Sequence, residues 1–220
     1  MKQTTIHHSL LTGRTNMKTR TLLTLTAAVF AIALVSGQAS AQRVSFNIQP
    51  GSELSLNGTS TLHSYECSAE SLAGTIVCDT ATLAKTSTDS TVLNANVKIP
   101  VKGLHNSSDG LTKNMAEALK GDDYPVISFV LTQCSAAPDS AGKPGVRNID
   151  AKGNLTIAGK TLPIEIPVSL SRADSGAYRL QGTRDLLMTD YGVDPPSFMF
   201  GVMKTNPKVV ITFNLKLKAQ

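Results

Sequence analysis

An all-β fold with one inserted helix is predicted for this chain, as a β-sandwich or a closed antiparallel barrel. Three observations lead there. Short segments that alternate apolar and polar residues recur along most of the chain, separated by turns rich in Gly, Pro and Ser. The last of them sets Val209, Ile211, Phe213, Leu215 and Leu217 on one face, opposite Val210, Thr212, Asn214, Lys216 and Lys218. That period of two marks a half-buried strand. A single stretch, Ser108–Gly121, changes to helical spacing.

The amino end is read first, because it is expected to leave the protein. Lys18 and Arg20 precede the apolar run Leu22–Val35, and Ala39-Ser-Ala41 supplies a small-residue cleavage site. This is the pattern of a secretory signal peptide over residues 1–41, with Met17 the more ordinary start and cleavage after Ala41. One domain, residues 42–220, would remain, and a periplasmic location is expected. Four cations (Lys2, Arg14, Lys18, Arg20) and no acid leave with the signal, so the formal charge falls from +5 to +1. A basic whole-chain balance thus says nothing about the mature protein's partners. Trp is absent, and the aromatics do not interleave with Lys or Arg as a nucleic-acid stacking platform would. No nucleic-acid partner is expected.

The mature elements follow in order. Val44, Phe46 and Ile48 alternate before the Pro50-Gly51 turn. Leu54, Leu56 and Thr59–His63 continue extended, with Gly58 read as a bulge or bend. Leu72–Asp79 and Thr91–Lys102 come next, the latter with Leu93, Ala95, Val97, Ile99 and Val101 on one face. In Ser108–Gly121, Ser108 or Asp109 can cap a helix over about residues 108–120, and Gly121 can end it. Its apolar stripe is Leu111, Met115 and Leu119, which must lie on the sheet or over a barrel opening. Val126–Gln133 aligns Ile127, Phe129 and Leu131. Ser135–Gly145 reads as a loop. Arg147–Ile157 and Lys160–Leu170 flank the tight turn Ala158-Gly159-Lys160, and Tyr178–Leu187 precedes Tyr191–Lys204, whose Pro195-Pro196 pair excludes ordinary helix or central strand.

The chemical inventory is small. Cys67 and Cys78 are the expected disulfide, facing each other if Ala73-Gly74 turns a hairpin. The odd count also permits Cys78–Cys134 or an intermolecular bridge. His63 and His105 remain after cleavage, and no tight metal-ligand spacing occurs, so no metal and no cofactor are expected. Gly58-Thr-Ser60-Thr-Leu62 partly matches a nucleophile elbow but lacks the closing glycine and following helix. An esterase using Ser60 with a histidine is the enzymatic alternative. The favoured reading is that the protein is not an enzyme.

Three ordered stretches resemble the YceI-like family of exported lipid-binding proteins. They are Gly58–His63 with Tyr65, then Met115–Leu119 leading to Tyr124–Phe129, then Tyr191–Lys204 with its double proline and Phe200-Gly-Val-Met203. With Gly153–Leu170 they span nearly all of the mature chain. The resemblance implies an eight-stranded antiparallel, lipocalin-like barrel with helical material beside it, holding a polyisoprenoid or another long amphiphile. Transient membrane contact and pairing of two barrels as a homodimer are open to such a carrier.

The inward rows then supply ligand-binding candidates. Val97, Ile99, Phe129, Leu131, Ile164, Ile166, Phe213 and Leu215 are the expected wall. Leu111, Met115, Phe198, Met199 and Met203 are the expected rim or lid. These side chains are mostly slim and aliphatic, which leaves room for an alkyl chain, although the same rows would serve a filled barrel acting as a structural or stress-related partner.

Overall fold

The structure, a computed structural model, describes residues 43–79, 92–136, 145–173, 176–198 and 203–220. The expected signal peptide, most of the loop expected at Ser135–Gly145, and Met199 lie outside them.

The strands are β1 (Arg43–Ile48), β2 (Glu53–Ser60), β3 (Ser64–Ala69), β4 (Ala73–Asp79), β5 (Val92–Pro100), β6 (Leu104–His105), β7 (Val126–Ala136), β8 (Val146–Ile157), β9 (Lys160–Arg172), β10 (Tyr178–Leu187), β11 (Ser197–Phe198) and β12 (Met203–Ala219). They merge into a closed eight-stranded antiparallel barrel. The merging follows from register. Along one edge of β12, Ile48 pairs with Leu217 and Glu53 with Asn214, so β1 and β2 form one strand with a kink. Pro50 and Gly51 make the kink, with Gly51 at φ +78°. Ser52 bridges it: its Oγ donates to the Gln49 carbonyl at 2.7 Å and accepts from the Lys216 amide at 2.9 Å. β3 and β4 run on beside β2 and β1 in the same way, and β5 continues into β6 through a 3₁₀ turn at Val101–Gly103.

Closure comes from β12. Its other edge pairs with β10 along ten positions, from Tyr178↔Leu217 to Leu187↔Lys208. The ring then continues β10, β9, β8, β7, β5 and back to β4 and β1. Near its start β12 carries a bulge between Thr205 and Val209, opposite Gly58–Ser60. Pro207 falls inside that bulge, where its missing amide costs no ladder bond. The irregularity expected at Gly58 therefore sits on the partner strand. Gly58 itself pairs regularly with Tyr65, and the Tyr65 ring occupies the space a Cβ would need.

Two other inward glycines share this arrangement. A Cβ at Gly153 would stand 2.5 Å from the Phe129 ring, and one at Gly182 would stand 2.5 Å from the Phe213 ring. Each glycine lets a neighbouring aromatic ring lie along the wall instead of projecting across the lumen.

The helix α1 (Asp109–Ala118) is the one expected, with Ser108 at its N-cap but no side-chain cap bond. Its termination differs from the expectation. Lys120 takes the left-handed conformation at φ 52°, while Gly121 is needed for packing, since a Cβ there would meet Val101 Cγ1 at 2.8 Å. Leu119 is buried with Val101, Leu104, Leu155, Ile164, Tyr191 and Val193, and Met115 packs against that cluster, so α1 and the Met188–Val193 turn cover part of one end of the barrel. The opposite end is closed by Phe46, Ile76, Cys78, Leu215 and Leu217. There Phe46 and Tyr178 meet edge to face at 5.3 Å.

The cysteine expectation is corrected here. No hairpin forms at Ala73-Gly74: β3 and β4 are successive parts of one strand rather than partners. Cys67 lies opposite Leu56, whereas Cys78 lies opposite Val44 and Val92. Extended chain separates the two sulfurs, and both are buried free thiols. Burial pushes the Cys78 thiol up to about 12, with neighbouring Cys134 adding to the effect. Burial also raises Cys67, reinforced by Glu66.

Two predictions follow from this packing. Gly153→Ala must displace either the Phe129 ring or the Val130 carbonyl. It should cost about 1–3 kcal/mol, read as a lower urea midpoint with an unchanged m-value. The thiols make the second. Because Cys78 holds its proton more tightly when folded, its contribution is complete below the ordinary value of 9.0 and is lost as pH rises towards about 12. Tyr65 and Tyr191, also raised by burial, act in the same direction. The urea midpoint should fall with rising pH across that window, and Cys78→Ala should make the fall shallower.

Candidate ligand-binding cavity

The inward rows of the barrel do not meet at its centre. Val97, Ile99, Phe129, Leu131, Ile166 and Phe213 all point inward, yet each keeps partial exposure. They face a cavity of about 350 Å³ inside the barrel. This size lies within the range of about 300–1,000 Å³ usual for small-molecule sites. Small residues on the inward rows, Ala95 and Ala151, add to the space.

The residues expected at the site fall as follows. Val97, Ile99, Phe129 and Leu131 line the cavity from β5 and β7; Ile164 and Ile166 line it from β9. Phe213 and Leu215 do so from β12, and Leu111 and Met115 reach it from α1. The double-proline stretch ends differently from the rest. Phe198 and Met203 pair through their backbones where β11 meets β12, their side chains lying outside the described residues together with Met199. Sequence reasoning passed over Leu104, Tyr191 and Val193, whose contribution depends on how the ends of the barrel are covered.

The charged groups of the lining gather toward one end. Ser60, His63, Asn114, Lys204 and Thr205 border the cavity where β2 turns into β3 and β12 begins. His63 and Lys204 are also exposed, so this end is the mouth. Arg184 joins them from β10. Alternation along β10 sets Leu180, Gly182, Arg184 and Leu186 on the inward row, with Arg184 opposite Ile211. That signal was present in the sequence, but only closure of the barrel makes it an inward cation.

The catalytic alternative finds no assembled geometry among the described residues. Ser60 Oγ donates to the His63 carbonyl at 2.9 Å and accepts from the His63 amide at 3.3 Å and the Leu62 amide at 3.4 Å. The hydroxyl thus ties the β2–β3 turn, through the histidine's main chain rather than its imidazole. His105 lies on β6, with Nδ1 at 3.9 Å from Glu70. No group of three or more His, Cys, Asp or Glu that could hold a metal occurs among the described residues.

Comparison with solved structures finds the same barrel elsewhere. Burkholderia cenocepacia BcnA matches with a TM-score of 0.58 at 19% identity, covering 75% of this chain and 95% of that one. A polyisoprenoid binding domain from Saccharophagus degradans, implicated in plant cell wall breakdown, matches with a TM-score of 0.58 at 14% identity, covering 80% and 98%. The Campylobacter jejuni YceI protein matches with a TM-score of 0.52 at 13% identity, covering 70% and 84%. At these identities the likeness is one of fold. No match was found among curated proteins. The sequence profile of the YceI-like domain matches residues 37–217, most of the chain, and the protein therefore belongs to the YceI-like domain family.

Proposed function

We propose that this protein holds a polyisoprenoid or another long-chain amphiphile inside its barrel, for carriage or sequestration in the periplasm after export. The observation that carries the reading is the apolar lumen, whose mid-barrel side chains remain partly exposed to an unfilled interior. Burying an alkyl chain there contributes about 0.8 kcal/mol per methylene. Several buried methylenes thus offset the loss of translational freedom without a strong polar contact. Family membership, and the Saccharophagus domain described as polyisoprenoid binding, support a lipid or isoprenoid ligand over other apolar molecules. Leu62, 68% exposed, and Leu187, 44% exposed, stand at the mouth end and suit brief contact with a membrane during loading.

Native mass spectrometry of protein purified from the periplasm, followed by solvent extraction, tests the proposal. A discrete added mass that extracts as a long-chain lipid is expected. Delipidated protein that refuses prenols, quinones and fatty acyl chains alike would overturn it.

Two variants sharpen the test. Ala95→Leu combined with Ala151→Leu places bulk in the lumen and should lower lipid occupancy at least about tenfold, as lost methylene burial at roughly 0.8 kcal/mol each implies. Ser60→Ala should leave model-ester hydrolysis at the level of the wild-type protein. Hydrolysis abolished by that substitution would instead establish the esterase reading.

A further inference from the structure

We propose that α1 is the gate of the cavity, pivoting on its carboxyl end, and that Asn106 is the latch holding its amino half against the barrel wall. The inference rests on the carrier reading above and adds the route by which a ligand enters and leaves. Its first support is the location of the helix. The far end of the barrel is packed shut by Phe46, Ile76, Cys78, Leu215 and Leu217, which leaves the mouth end for entry. There Leu111, Asn114 and Met115 of α1 border the cavity together with Ser60, His63 and Lys204.

The second support is the unequal hold on the two halves of α1. The helix itself contains no fully buried residue, although its apolar stripe would ordinarily be buried on a sheet. Its carboxyl end is nevertheless anchored. Leu119 follows it into the buried cluster, Met115, Ala116 and Ala118 pack against that cluster, and Gly121 is seated on Val101. The Tyr124 amide donates to the Lys120 carbonyl at 2.8 Å, and the Val101 amide to the Pro125 carbonyl at 2.9 Å. Leu111, the stripe residue of the amino half, is absent from that packing and lines the cavity instead.

The third support is the attachment of that amino half. β3 and β6 pair only at Ser68↔His105 and Ala69↔Leu104, and the ladder ends where Asn106 begins. There a side chain replaces the backbone, as Asn106 Nδ2 donates to the Glu66 carbonyl on β3. The remaining groups of Asn106 hold the helix. Its Oδ1 accepts from the Ser108 amide at 2.8 Å, and its amide donates to Thr112 Oγ1 at 2.9 Å. These bonds fold the connector Asn106–Ser108 back on itself, whereas three extended residues would span about 10 Å. Release of Asn106 therefore supplies the slack for the amino half of α1 to lift while Leu119 stays seated. The bonds to Glu66 and Ser108 are exposed, so water competes for them and the latch opens at little cost.

The test follows two fluorescent chains, retinol as an isoprenoid alcohol and cis-parinaric acid as an acyl chain, into and out of delipidated protein by stopped flow. Amide hydrogen exchange is measured on the same protein without either probe. Asn106→Ala removes both functions of the side chain. Asn106→Asp keeps the acceptor for Ser108 but loses the donor to Glu66, which isolates the wall contact. Both variants should speed association and dissociation alike, by about fivefold, the scale of one or two exposed hydrogen bonds, and so leave Kd nearly unchanged. Exchange should quicken by a similar factor in α1 and stay unchanged in β9 and β12. Probe kinetics unaltered in both variants overturn the inference and leave the carrier reading intact, whether or not exchange in α1 has quickened. Dissociation that quickens alone, with Kd weakened to match, also overturns it, because Asn106 would then stabilise bound ligand instead of barring its way. Fast kinetics in Asn106→Ala beside wild-type kinetics in Asn106→Asp overturn the assignment of the latch to the Glu66 contact. Refusal of both probes by the wild-type protein removes the carrier reading, and this inference with it.

Discussion

Closure of the sheet by β12 is the constraint from which the other features follow. One edge of this strand is committed to β10 over its whole pairing length, and the other is shared by β2 and β1 in turn. A sheet closed on itself has no free lateral edge to template aggregation, and closure obliges alternate residues of every strand to face a common interior. Two local devices make the geometry feasible. The Pro50-Gly51 kink lets the first strand bend around the barrel, and the bulge at Pro207 re-aims the start of β12 at the mouth.

Why the interior is hollow is a question of side-chain placement rather than of strand number. Eight strands can enclose a packed core or a small ligand. Here the aromatic residues that could have filled the centre are laid against the wall, Tyr65 over Gly58, Phe129 over Gly153 and Phe213 over Gly182. Glycine in a strand is unfavourable for backbone entropy and contributes no packing of its own. The ends are treated differently: Phe46 packs against Tyr178 at one, while at the other Leu119, Tyr191 and Val193 pack together beside the mouth.

Electrostatics divides the cavity along its length. Deep in the barrel burial favours the neutral form of the Cys78 thiol. At the mouth the bases lie within reach of water, where charge is not penalised. Ser60, the residue most open to a catalytic reading from sequence, is occupied in holding the turn that carries His63.

Local pattern determined a large part of this protein. Period-two alternation in Thr91–Lys102, Lys160–Leu170, Tyr178–Leu187 and Val209–Leu217 fixes which side chains share a face, because a pleated strand admits no other arrangement. Helical spacing of Leu111, Met115 and Leu119 likewise located α1. The wall residues named from those rows do line the cavity, since inside and outside follow once the apolar row is known. Tertiary structure decided what depends on partners distant in the chain. The pairing of Cys67 with Cys78 looked natural because only ten residues intervene, but β3 and β4 are collinear, and separation in sequence says nothing about that. Gly58 read as a bend because glycine permits one, whereas its role is to admit the ring of Tyr65. Alternation along Tyr178–Leu187 gives Arg184 its row, but only the closed barrel brings that row to the cavity. Strand periodicity is a property of neighbours along the backbone; a cavity and a mouth are properties of closure.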